Sequence, residues 1–152
     1  MKIVRSGQVE WKEHVNRGRI QQRRKPLGGE KLTAGLWELP PGKKSFPYHM
    51  HHVTEEAMFV VSGRCQVRTP EGLTEIGPGD YVSFPPGGGA HQLINDFEEP
   101  CVYLGLSALQ GVDFVEYPDS GKVAFAQGSP PTGKRLLFRA GDPPDYWDGE
   151  GE

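Results

Sequence analysis

Three of the chain's five histidines, His49, His51 and His52, fall within four consecutive residues, and two carboxylates, Glu55 and Glu56, follow at once. Imidazole and carboxylate together suit a borderline divalent metal. His49 and His51 are two apart, so on a β-strand they face one side while His52 faces the other. A helix would need its paired ligands at i and i+4. The spacing therefore points to an ion gripped between neighbouring strands, with a carboxylate returning from the next strand. Glu55 and Glu56 are both candidates for it, and any fourth ligand has to come from elsewhere in the chain.

Strands must position such a grip, and the texture of the chain supplies them. Gly and Pro are frequent, 21 and 14 of 152 residues, without a short repeat, which suits many turns between short strands. Leu32–Leu39 reads as a strand closed by Pro40-Pro41-Gly42. Glu56–Val61 is strongly apolar and ends at Ser62-Gly63. Arg64–Thr69, Leu73–Ile76, Tyr81–Phe84, His91–Asn95 and Cys101–Leu106 follow, each closed by turn chemistry. Short strands at regular spacing predict a sandwich or barrel. Beyond Ala108 the pattern weakens. Val112–Tyr117 alternates, Lys122–Ala126 reads as a strand or short helix, and Lys134–Arg139 as a further strand.

The N-terminal region is harder to place. A first strand is expected through Ile3-Val4 or Gln8–Trp11. Residues 14–31 are polar, basic and broken by Pro26, Gly28 and Gly29, which reads as an arm or loop. The chain as a whole is expected to be one domain over residues 1–152, with an arm at 1–30, a barrel at 31–127 and an extension at 128–152.

Charge excludes some functions. The net charge is −3, against a protein built to coat nucleic acid. Five positive residues nevertheless cluster at 17–25, while Asp142, Asp145, Asp148, Glu150 and Glu152 make an acidic tail. The basic stretch lacks the two periodic helices of a helix-turn-helix. No run nears the roughly 18 apolar residues of a membrane span, and the first ten residues carry no leader-like apolar stretch. A cytoplasmic protein without nucleic-acid or membrane partners is the expectation. Cys65 and Cys101 form no C-x-x-C pair and read as small buried residues, with a bridge between them left open. Tyr146 and Trp147 lie among the tail acids, so the tail is either docked through them or disordered.

Two longer patterns now connect these pieces. Gly42, His49, His51, Glu56 and Gly63 make one, with four residues between His51 and Glu56 and six between Glu56 and Gly63. Gly79, Pro85, Gly87, His91 and Asn95 make the other. Together, in order and interleaved with strands, they resemble the two signature motifs of the cupin superfamily, over about residues 32–107. The Gly42–His49 and Gly87–His91 gaps are each one residue longer than the family pattern. The tail is similar to that of small single-domain bacterial cupins.

The resemblance implies an all-β, double-stranded β-helix (jelly-roll) barrel with one divalent transition metal (Mn, Fe, Ni, Co, Cu or Zn) at its centre. It implies His49, His51, Glu56 and His91 as ligands, the Glu56-to-Gly63 spacing favouring Glu56 over Glu55. Four protein ligands leave coordination positions open, as a catalytic site needs and a closed structural zinc site does not. The expected function is a mononuclear metalloenzyme of dioxygenase, decarboxylase or isomerase type acting on a small oxygen-rich metabolite. The alternative is a non-catalytic small-molecule binding or sensor module on the same pocket. Glu55, Tyr48, Gln66 and Tyr103 are candidate acid or base groups beside the metal. His14 and His52 read as exposed, Asn95 as a backbone cap, and Trp37, Tyr48, Phe59, Phe84 and Tyr103 as core or cavity lining. Like many cupins, the protein is expected to hold a small-molecule ligand in its barrel and to form a homodimer through sheet edges.

Overall fold

The computed structural model describes residues 1–128, 133–141 and 144–150. Fourteen strands make up the described residues apart from loops and two short 3₁₀ turns. They are β1 (Lys12–Arg17), β2 (Ile20–Gly28), β3 (Leu32–Leu39), β4 (Lys43–Lys44), β5 (Met50–His51), β6 (Glu55–Ser62) and β7 (Cys65–Thr69). They continue with β8 (Gly72–Ile76), β9 (Tyr81–Phe84), β10 (Gln92–Asn95), β11 (Cys101–Ala108), β12 (Val112–Tyr117), β13 (Lys122–Gln127) and β14 (Lys134–Arg139). A large sheet runs β8-β7-β10-β4-β2-β3-β11-β6-β9, with β1 paired to β2, and a small sheet runs β14-β13-β12-β5. This is the jelly-roll architecture that the strand spacing and the paired motifs imply.

Alternation decides which side of each strand is inside. In β6, Met58 and Val60 are buried while Phe59 and Val61 face solvent. In β7, Cys65 and Val67 are buried. With Leu39, Ile76, Leu93, Cys101 and Tyr103 they form the main core. Each fully buried aliphatic side chain contributes roughly 2 kcal/mol. The β6–β7 turn depends on Gly63, at φ +71°, where an added Cβ would stand 2.1 Å from the Pro100 carbonyl oxygen. Cys65 and Cys101 are buried free thiols.

Three expectations for the chain's ends are corrected. Residues 14–31 are no arm. Most of them lie in the β1–β2 hairpin, and β2 lies inside the large sheet between β3 and β4. After Ile20 its inward parity carries Gln22 and Arg24, so the period-2 pattern was masked by polar side chains with apolar stems. No strand forms before Lys12: Ser6–Gln8 is a 3₁₀ turn, and Trp11 lies under Arg23 and Lys25, each 5.1 Å from its ring centroid. Strands therefore extend before residue 31, and the strand expected at Lys134–Arg139 is present. Lys122–Gln127 is a strand, not a helix. Two cations of the basic stretch have carboxylate partners, Arg23 with Glu38 of β3 at 2.7 Å and Arg19 with Asp96 just after β10 at 3.0 Å. Tyr146 and Trp147 are exposed and packed edge-on against each other rather than on the barrel. Asp142 and Glu152 of the acidic tail lie outside the described residues.

Candidate metal centre

The inner face of the barrel wall is built row by row. In one row, Ser107 of β11 stands opposite Glu56 of β6, and Glu56 opposite Phe84 of β9. His51 comes from β5 in the small sheet, opposite Val115. His49 and His91 lie outside the named strands but face each other in an isolated antiparallel bridge. The site therefore collects its residues from both sheets and from the loops that join them.

Four side chains converge on one point. Glu56 Oε2 lies 3.7 Å from His49 Nε2, 3.5 Å from His51 Nε2 and 3.3 Å from His91 Nε2. The donor atoms of His49, His51 and Glu56 are all within 4.8 Å of one another, close enough to share a metal ion. Their other faces are already committed. His49 Nδ1–H donates to the Pro47 carbonyl at 2.7 Å, and His51 Nδ1–H donates to the Asp113 carboxylate. Both contacts leave the Nε2 lone pair free to bind a cation. Ser107 Oγ donates to Glu56 Oε1 at 2.8 Å, which leaves Oε2 facing the imidazoles. The His91 ring is pinned by stacking on Phe84, centroids 3.8 Å apart and 8° from parallel. This donor set, with the outward atoms of His49, His51 and Glu56 satisfied, the His91 Nδ1 buried without a partner among the described residues and the inward atoms clustered, fits a divalent transition metal.

Electrostatics supports the same reading. Burial pushes the Glu56 carboxyl up, but the His49 and His91 contacts and the charges of His51 and His49 outweigh it and hold Glu56 well below the ordinary carboxylate range. Burial, reinforced by the neighbouring imidazoles, lowers His91 despite Glu56. An ionised carboxylate beside a neutral imidazole is the protonation pattern that metal ligation requires.

His49, His51 and Glu56 are thus brought within reach of one ion, and His91 reaches the same Glu56 oxygen without belonging to that mutually close set. Glu55 is exposed, on the outer parity of β6. His52 is exposed too, with its Nε2 2.8 Å from Glu116 Oε1. Asn95 is fully buried and caps the backbone through Leu39, Glu99 and Phe97. Among the other candidates, Tyr103 lines the cavity whereas Tyr48, Gln66 and Glu55 do not. Trp37 and Phe84 also line it, but Phe59 is neither core nor lining. Two residues were missed. Asp113, which orients His51 and also accepts from the Val53 amide at 2.9 Å, shares the buried parity of Val115 and Tyr117. An acid on the apolar side of an alternating strand was the available signal. His14, read as exposed, is half-buried, packs against Trp37 and Phe46, and lines the cavity.

The cluster opens on a cavity of about 470 Å³. Trp37, Phe46, Met58, Phe84, Tyr103 and Tyr117 give it largely apolar walls. Gly35 and Gly105 stand opposite each other on β3 and β11 and leave the space that the Trp37 indole fills; a Cβ on Gly105 would lie 2.7 Å from Trp37 Nε1. Tyr103 Oη donates to Gln22 Oε1 at 2.9 Å, closing the floor.

Comparison with known proteins places this architecture. Residues 35–107 match the family described as Cupin domain. A protein from Acidithiobacillus ferrooxidans, provisionally named a sugar phosphate isomerase, is 30% identical, with 90% of this chain and 88% of that one covered and a TM-score of 0.78. A cupin-superfamily protein from Silicibacter pomeroyi, named a sugar phosphate isomerase, is 22% identical over 91% of this chain and 92% of its own, with the same TM-score of 0.78. A predicted oxalate decarboxylase from Thermotoga maritima is 20% identical over 72% of this chain and all of its own, with a TM-score of 0.64. No curated protein matches the sequence. Two interleaved histidine motifs, the jelly-roll topology and a relative aligned over nearly its full length lead to one conclusion: the chain belongs to the cupin superfamily.

Proposed function

We propose that the protein is a metal-dependent isomerase acting on a small, oxygen-rich metabolite held in the barrel. The carrying observation is the convergence of His49, His51, Glu56 and His91 on one point at the wall of a cavity large enough for such a molecule. The name of the Acidithiobacillus relative supports isomerisation over oxygenation or decarboxylation. A bound metal supplies Lewis-acid polarisation of a substrate carbonyl or hydroxyl.

The chain's own residues do the rest. Asp113 and the Pro47 carbonyl hold the two imidazoles of the first motif in their ligating tautomer. Ser107 fixes Glu56. The aromatic walls exclude water, which strengthens every charge interaction inside. Tyr117, stacked on His49 with centroids 6.2 Å apart, and Tyr103 place two phenols on the cavity wall, both raised above the ordinary tyrosine range chiefly by burial. Tyr103 already donates to Gln22, so Tyr117 is the phenol that can donate to a substrate oxygen without carrying charge into an apolar site.

The test is metal analysis of the purified protein followed by an isomerase assay on an aldose and ketose panel, with oxygen uptake monitored in parallel. Metal-dependent interconversion supports the reading. Stoichiometric metal with oxygen consumption would replace it by an oxygenase, and binding without turnover by a sensor module.

A further inference from the structure

The cavity has a second chemical pole, centred on Arg24. This residue lies on the inward parity of β2 with buried Gln22, directly across from Trp37 in β3. Its guanidinium lies over the Trp37 ring, 5.2 Å from the centroid, and lines the cavity. Arg19, Arg23, Arg64 and Arg68 each hold a carboxylate. Among the described residues Arg24 holds none. Its ionisable neighbour is another base, His14, packed edge-on to the same indole at 4.9 Å. Burial lowers both groups, and the Arg24 charge lowers His14 further.

The other charges on the walls do not compensate. Lys122 and Arg135 line the cavity from the small sheet. The lining carboxylates, Glu56 and Asp113, are committed to the imidazoles, Ser107 and the Val53 amide. Lys122, 5.8 Å over the Tyr117 ring, stands on the His49 side, so at the Trp37 end the excess positive charge is that of Arg24. A half-buried guanidinium without a counter-ion is costly, and its planar fork matches the oxygens of a phosphate. Trp37 touches Phe46 and Phe46 touches His49, 5.3 and 6.3 Å between centroids, so a continuous aromatic wall runs from the Arg24 pole to the cluster.

We propose that Arg24, braced on Trp37, binds the phosphate of a phosphate monoester whose other end reaches the His49–His51–Glu56–His91 cluster. The second half of this statement rests on the metal-site reading above. The anion pole itself rests on Arg24 and the charges around it.

Calorimetric titration of inorganic phosphate, with acetate in parallel, tests it on the full chain, metal-loaded and again after chelation. The proteins are the wild type, Arg24→Met, which keeps an apolar stem on Trp37, and Arg23→Met as the outward-facing control. Phosphate is expected to bind the wild type and Arg23→Met alike in both metal states, and Arg24→Met at least tenfold more weakly. Phosphate should raise the wild-type melting temperature and leave that of Arg24→Met unmoved. No phosphate binding to the wild type, equal affinity in Arg24→Met, or acetate binding as tightly as phosphate would overturn the proposal. Binding that disappears on chelation would assign the anion to the metal and overturn it too. Should Arg24→Met not fold, the Arg24 Nε resonance of the wild type serves. It should shift with phosphate, and a resonance unmoved at saturation rejects the site. Failure of the metalloenzyme reading would look different: a protein that binds phosphate through Arg24 yet retains no metal.

Discussion

His49 and His91 exchange both of their main-chain hydrogen bonds, His91 N to His49 O at 2.8 Å and His49 N to His91 O at 3.2 Å, although neither belongs to a strand. The two histidine motifs are thus held together by backbone, independently of what their side chains bind. The Gly87 amide adds a third link, donating to the His51 carbonyl at 2.8 Å.

Because that link is main-chain, His91→Ala should leave the fold intact and remove one ligand. Metal content of the purified variant is expected to fall at least tenfold, with an unchanged far-ultraviolet dichroism spectrum. Full metal loading in His91→Ala would reject the four-ligand centre.

Asp113 acts on the centre through His51. Replacing the carboxylate by an amide in Asp113→Asn weakens the hold on the Nδ1–H tautomer, and such changes cost roughly 10–100-fold in metal affinity. Competition with a chromophoric chelator measures it. Wild-type affinity in this variant would mean that His51 needs no orienting partner.

Gly105→Val places side-chain atoms where the Trp37 indole now lies. Overpacking of this kind costs about 1–3 kcal/mol. A lower urea midpoint and an altered tryptophan emission are expected together. An unchanged emission would show that Trp37 does not depend on the gap.

Arg68 grips Asp119 with both guanidinium nitrogens, at 2.6 and 2.8 Å, and so ties β7 of the large sheet to the turn after β12 of the small one. That pairing holds the Asp119 carboxyl below its ordinary range. A depressed carboxyl adds stability above its unfolded value of about 3.9, and that stability is lost as pH falls through the lowered folded value. Both side chains meet solvent, so screening limits the contribution to about 1 kcal/mol. Urea titrations of wild type and Asp119→Asn should differ at pH 7 and converge in acid. A gap that persists below both values would assign the loss to something other than charge.

Parity explains what could be read from the sequence and what could not. His49, His51 and Glu56 were legible because ligand type, spacing and strand pattern agree, and His91 followed from the second motif. Phe59 was misread although the signal was present, since it alternates with Glu56 and Met58 and so faces out. Arg24 was hidden because β2 turns cationic and amide side chains inward, where pattern reading looks for aliphatics, and His14 because β1 is polar along its length but for Val15. Which residues line a cavity also depends on the Gly35–Gly105 pairing, a register between strands that no local pattern encodes.

The outer edge of the small sheet has a colloidal consequence. All six residues of β14 are exposed, Leu136, Leu137 and Phe138 among them, and no described strand covers its far side. Such an edge is a template for uncontrolled strand addition. Two copies of β14 meeting antiparallel about Leu136 and Leu137 would set Lys134 opposite Arg139 at each end. Like-charge repulsion makes these cations gatekeepers for the apolar triplet. Salt screens that repulsion, so precipitation through this edge is favoured by concentrated salt and opposed by dilute buffer.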